Sequence, residues 1–128
     1  MRIPTVLVVD DNEDVLDFIE ETLAGHRAEV IRARSGPDAM SLLMSRQIDL
    51  VLLDINMPDM NGFAVLEIVR FIPRLMNTAV IVQTAYGDRD NMERAKELGV
   101  KTVLTKPISP ANLAEEVWDC LVACQAIR

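Results

Sequence analysis

Five polar residues of this 128-residue chain each follow an apolar run. Asp10 and Asp11 come after Val6–Val9, Asp54 after Leu50–Leu53, Thr84 after Ala79–Gln83, and Lys106 after Val100–Leu104. If the fold gathers them, three carboxylates repel one another, so that some must protonate or a cation must join them. Carboxylates with no thiol or imidazole close by are hard oxygen ligands and suit Mg²⁺ or a similar ion. A cation bridging to a phosphoryl oxygen would offset the charge of an incoming phosphate. Lys106 would be a point cation for a second oxygen, and the Thr84 hydroxyl could donate to a third. Asp54 is then the candidate nucleophile, because a carboxylate can attack phosphorus and hold it as an acyl phosphate. The plainer alternative is an acidic loop cluster beside a surface lysine.

The elements that must position these residues alternate strand and helix five times. Strands are expected over Val6–Val9, Glu29–Ala33, Leu50–Leu53, Ala79–Gln83 and Val100–Leu104. Leu50–Leu53 reads as a strand buried on both faces. The charges Glu29 and Arg32 around Val30-Ile31 suit an edge strand. Helices are expected from Asn12 to about Ala24, Pro37 to about Ser45, Phe63 to about Ile72, Asp88 to about Leu98 and Pro110 to about Ile127. Val15, Ile19, Thr22 and Leu23 form the first helix's stripe, and Gly25 stops it. Pro37 fits a first turn, with Ser35 or Gly36 as the cap. Pro58, Asn61 and Gly62 signal a loop, Pro73 limits the third helix, and Gly99 closes the fourth. Alternation of this kind implies a parallel sheet with right-handed crossovers and helices on both faces. The expected fold is α/β: a flavodoxin-like, doubly wound, five-stranded parallel sheet of order 2-1-3-4-5 with five helices. All five polar residues then meet at the carboxyl edge of the sheet.

Composition narrows the classes further. Half the residues are apolar and about a quarter charged, which suits one globular domain over 1–128. A net charge of −7 argues against non-specific binding to nucleic acid or anionic membrane. The run Val6–Val9 is too short for a signal-peptide core or a membrane span, so a cytoplasmic chain is expected. Cys120 and Cys124 read as reduced thiols on a buried helical face rather than a metal site. His26 reads as an exposed loop residue.

In this order and on this strand pattern, the set resembles one family specifically. Asp10-Asp11 after a VLVV run, Asp54-Ile55-Asn56-Met57-Pro58-Asp59-Met60-Asn61-Gly62, Thr84-Ala85 and Lys106-Pro107 are similar, end to end, to the receiver domains of bacterial two-component response regulators. The resemblance implies that Asp54 is the phospho-acceptor, taking a phosphoryl group from a histidine of a sensor kinase or phosphotransfer protein. It implies Mg²⁺ held by Asp10, Asp11, Asp54 and the backbone carbonyl of Asn56, with Asp11 direct and Asp10 largely through water. It makes Thr84 the switch hydroxyl, Lys106 the lysine that pairs with the phosphoryl group, and Lys106-Pro107 a cis bond.

Val103 departs from the family pattern, in which an aromatic residue usually stands three positions before this lysine. A valine has no ring to swing and little rotamer freedom. Phosphorylation is therefore expected to be read mainly through the loops after Thr84 and Asp54, rather than at the fifth strand. The resemblance implies that Tyr86 flanks the phosphoryl group, where a bulky ring would hinder the hydrolytic water; the plainer alternative is a solvent-facing loop tyrosine with no kinetic effect.

Two surfaces are candidates for partners. Val15, Leu16, Phe18, Ile19 and Leu23 cover more arc than a core stripe needs, so either the buried face is wide or Phe18 or Val15 is exposed, which the resemblance would assign to kinase docking beside Asp54. On the last helix Leu113, Val117, Cys120, Cys124 and Ile127 share a face, and Trp118 and Val122 fall outside it; Trp118 is an interaction candidate if exposed, and the plainer alternative is partial burial against the flank of the fourth helix.

The reading is a phospho-acceptor switch that promotes only its own phosphorylation and dephosphorylation, with no output domain in this chain. A downstream output protein and a phosphorylation-linked dimer remain open as partners. One alternative is a receiver fold acting as a phosphorylation-independent binding module. An aspartyl phosphohydrolase would typically need a second acid two residues after the nucleophile, where Asn56 stands. A flavin carrier would need a phosphate-cradling first loop, and Asp10-Asp11-Asn12-Glu13-Asp14 would repel phosphate without a metal.

Overall fold

The structure, a computed structural model, describes residues 3–25, 27–57, 62–85 and 87–124. Its elements run β1 (Thr5–Val9), α1 (Glu13–Leu23), β2 (Glu29–Ala33), α2 (Gly36–Ser45), β3 (Leu50–Asp54), α3 (Gly62–Phe71), β4 (Ala79–Ala85), α4 (Arg89–Glu97), β5 (Thr102–Lys106) and α5 (Pro110–Ala123). The five strands form one parallel sheet of order β2-β1-β3-β4-β5. The fold is therefore the flavodoxin-like α/β class expected.

Strand alternation divides the core in two. Leu7, Val9, Val51, Leu53, Val80 and Val82 face α2, α3 and α4. Val6, Val8, Leu50, Leu52, Ile81 and Leu104 face α1 and α5. Both faces of β1 and β3 are covered, which is why these strands read as continuous apolar runs. β2 is an edge strand, and its Arg32 spends its guanidinium on Glu13, Asp17 and Glu20 of α1.

The helix starts are capped by side chains. Asn12 Oδ1 accepts from the backbone N–H groups of Asp14 and Val15. Ser35 and Ser109 do the same for Asp38 and Asn112. Pro37 and Pro110 stand in first turns, where a missing N–H costs nothing.

Four expectations need correction. The stripe of α1 is Leu16, Ile19 and Leu23, while Val15 and Thr22 are only half-buried. On α5 the buried residues are Leu113, Val117 and Leu121. Cys120 is half-buried, and Cys124 is exposed because it lies one residue past the last turn. Trp118 is half-buried, as the plainer alternative has it, but against the α1/α5 core rather than the flank of α4. β5 begins at Thr102, not Val100. Val100 instead completes the C-terminal cap of α4: its N–H donates to Ala95 O at 3.1 Å and Gly99 N–H to Lys96 O at 3.0 Å, with Gly99 at φ 84°. The expectations for His26, Pro58, Asn61, Tyr86 and Ile127 lie outside the described residues.

Candidate functional site

The carboxyl ends of β1, β3, β4 and β5 meet at one edge of the sheet. Asp54 is the last residue of β3, and Thr84 and Lys106 lie within the last turn of ladder on β4 and β5. Thr84 pairs with Thr105, and Ala85 with Lys106. Ladder hydrogen bonds are backbone bonds and continue through polar residues, so both strands run past their apolar stretches.

Asp10 is fully buried and Asp54 nearly so, at 3% exposure. Each is held by a local turn: Asp10 Oδ1 accepts from Asn12 N–H at 2.9 Å, and Asp54 Oδ1 from Asn56 N–H at 2.8 Å. The second oxygens of both point at one cation. Lys106 Nζ lies 3.1 Å from Asp10 Oδ2 and 3.2 Å from Asp54 Oδ2. Burial alone would lower the pKa of this ammonium, but the charges of Asp54 and Asp10 outweigh it and hold the pKa above the ordinary lysine value. The Lys106–Pro107 peptide bond is cis.

Asp11 is exposed, yet one carboxylate oxygen from each of Asp10, Asp11 and Asp54 lies within 4.8 Å of the others. One ammonium against three carboxylates leaves a negative excess. An all-oxygen donor set with that excess fits a hard divalent cation. The cluster could therefore hold a metal.

A second network joins the loops after β3 and β4. The Asn56 side-chain oxygen accepts from Ala85 N–H at 3.0 Å. Thr84 Oγ1 donates to Asp88 Oδ2 at 3.3 Å, and Asn91 Nδ2 donates to the same oxygen at 2.6 Å. Asp88 also caps α4 through Asn91 N–H. Hydrogen bonds from Asn91 above all, with help from Asn56 and Thr84, hold the Asp88 carboxyl below the usual carboxylate range. Its contribution to stability is thus present above the ordinary carboxylate pKa and is lost as pH falls through the depressed one. In this state the Thr84 hydroxyl is turned to α4. Val103, paired with Val82, packs half-buried against the α2–α4 core.

On the other face, a groove of about 600 Å³ opens between α1 and the start of α5. Val15, Phe18, Ile108 and Leu113 form its apolar walls, and Asp54 and Lys106 lie at its head. Phe18 keeps 37% of its surface exposed there.

Sequence reasoning missed three residues of this region. Gln83, in register with Asp54, lines the groove, and its one signal was an amide at the end of an apolar strand. Asp88 was legible as a helix start but not as the partner of Thr84. The side chain of Asn56 gave no signal, since nothing local says which loop it will bridge.

The fold and the site together are those of a doubly wound α/β protein with an acid-and-lysine pocket at the carboxyl edge of its sheet. The family model described as response regulator receiver domain matches residues 6–118, and the chain belongs to this family of two-component signalling. Phosphoaspartate and magnesium binding are typical of it, and its members are generally switches rather than enzymes. The chain is 30% identical over 117 residues to the polar-differentiation response regulator DivK of Brucella ovis, covering 91% of this chain and 95% of that protein. Chemotaxis response regulator CheY4 of Vibrio cholerae superposes with a TM-score of 0.86 at 27% identity, covering 94% of this chain and 100% of that one. A CheY-like receiver domain protein from Methanospirillum hungatei gives 0.89 at 25% identity, covering 98% of each.

Proposed function

We propose that this chain is a phospho-acceptor switch in which Asp54 receives a phosphoryl group from a phosphohistidine of a sensor kinase or phosphotransfer protein. The observation that carries the reading is Asp54 itself: a nearly buried carboxylate whose Oδ2 faces Lys106, within 4.8 Å of the ligand atoms of two more acids. An Asp54 oxygen attacks phosphorus, the new P–O bond forms as the P–N bond breaks, and the electron pair leaves on the imidazole nitrogen. Lys106 takes up charge on the transferred group. Asp10, Asp11, Asp54 and the Asn56 carbonyl would hold Mg²⁺, which supplies neutralising charge when bound. Phe18 and the groove beside it offer the donor a docking face that ends at the acceptor.

The chain acts as a receiver module in the cytoplasm whose phosphorylation changes what it binds. No helix among the described residues is long and apolar enough to cross a membrane. The direct test is an intact-mass spectrum after incubation with a small-molecule phosphodonor. A single Mg²⁺-dependent phosphoryl adduct is expected, absent from Asp54→Asn. An adduct that persists in Asp54→Asn excludes Asp54 as the acceptor. No adduct from small donors or the cognate kinase favours a phosphorylation-independent binding module.

The switch is read through loops. Asn56 and Asp88 already tie the loop after β3 to the loop after β4 and to α4, whereas Val103 has no ring to move. With beryllofluoride and Mg²⁺ bound, the largest amide shift changes are expected at Asn56, Ala85 and Gly87–Arg89, with smaller ones at Thr102–Leu104. Changes at Val103 as large as those at Ala85 would count against it.

A further inference from the structure

Gln83 is the buried residue that phosphoryl transfer onto Asp54 leaves without a task. It is 1% exposed, yet its Nε2 has no hydrogen-bond partner among the described residues. The register sets it directly beside Asp54 on one side and Leu104 on the other. Adjacent strands lie about 4.8 Å apart, and paired residues point to the same face. Gln83 therefore shares the α1/α5 side with the acceptor, and it lines the same groove as Asp54, Asn56 and Lys106. The nearby walls of Phe18, Ile19 and Leu113 have no side-chain acceptor to offer.

A buried amide donor left unmade raises the energy of the state in which it is unmade. The resting carboxylate does not meet this donor: Asp54 Oδ1 is taken by Asn56 N–H and Oδ2 by Lys106. Phosphorylation brings three new acceptor oxygens to the position one ladder step away.

We propose that Gln83 is a further phosphoryl-binding residue, whose side-chain amide donates to an oxygen of the group carried by Asp54. This rests on Asp54 being the acceptor. The bond exists only in the phosphorylated form, so it biases the switch toward that form. Apolar side chains at this position would give a receiver of the same fold with a weaker hold on the phosphoryl group.

The test titrates beryllofluoride into the full chain with Mg²⁺ and follows heat. It compares the unmodified protein with Gln83→Met, which keeps the length and removes the donor, and with Gln83→Leu as a second apolar variant. Melting temperatures without beryllofluoride are measured alongside. Both variants are expected to melt at or above the temperature of the unmodified protein, and to bind beryllofluoride roughly tenfold more weakly. Affinity within about twofold of the unmodified protein overturns the proposal. So does a lower melting temperature in both variants, because the amide would then be satisfied in the resting state. If the unmodified protein binds no beryllofluoride and gains no phosphoryl adduct, the acceptor reading fails first and takes this inference with it.

Discussion

Gly62→Ala is expected to unfold at a markedly lower urea concentration than the unmodified protein and to take up little phosphoryl group. A Cβ at this position would stand 2.6 Å from the Asp54 carbonyl oxygen and 2.7 Å from Ile55 Cα. Both are backbone atoms at the end of β3, and neither can rotate away. Either α3 backs off its buried residues Phe63, Val65 and Leu66, or the end of β3 shifts and carries Asp54 out of reach of Lys106. Overpacking costs up to about 3 kcal/mol, and two rigid neighbours place this case at the upper end. The sign is diagnostic, because glycine to alanine within a helix ordinarily stabilises by about 1 kcal/mol. Urea unfolding measures the stability and intact mass the uptake. An unchanged or raised midpoint would mean that the close approach of α3 to the acceptor strand does not constrain the site.

The second large effect concerns the cation between the acids. Lys106→Met removes the ammonium that Asp10 and Asp54 share, leaving two buried carboxylates without it. Breaking a buried pair by deleting one partner costs about 3–5 kcal/mol. The Lys106 side chain is 33% exposed, so the lower figure, about 3 kcal/mol, is expected in the absence of divalent ions. Mg²⁺ should restore much of that loss, and it should bind the variant more tightly, since no ammonium then competes for the same oxygens. The raised pKa of Lys106 gives the pH window. Its contribution is complete below the ordinary value of 10.5 and is lost only as pH climbs through the higher folded value, so the comparison can be made at neutral pH. Urea unfolding with and without Mg²⁺ decides it. A loss equal in both conditions would sink the idea that these acids form one cation site.

Sequence periodicity carried the topology because the strands that matter most are covered on both faces. Leu50–Leu53 could hardly be anything else, and alternation of such runs with capped helices implies a parallel sheet. The carboxyl-edge placement of Asp10, Asp54, Thr84 and Lys106 followed from that alone. What stayed hidden depends on hydrogen bonds without apolar signatures. β5 was read two residues early because Val100 is as apolar as a strand residue, although it serves the cap of α4. The α5 stripe was drawn through Cys124 rather than Leu121 because adjacent apolar residues at 120–122 fit more than one helical register. Thr84 was assigned its position but not its present partner, since Asp88 meets it only through the turn between β4 and α4. Gln83 was passed over because a polar residue at a strand end looks like a boundary.

Gln83 and Thr84 are neighbours in β4, yet one borders the groove of α1 and α5 and the other bonds the cap of α4. A pleated strand turns successive side chains to opposite sides. The acceptor is therefore served from two directions: a donor resting on Phe18 and a reader resting on the start of α4 approach it from opposite faces of the sheet and meet at Asn56 and Ala85. Under the proposed function, loading the switch and sensing it are separate encounters. A partner already bound at α4 need not leave for the phosphoryl group to arrive.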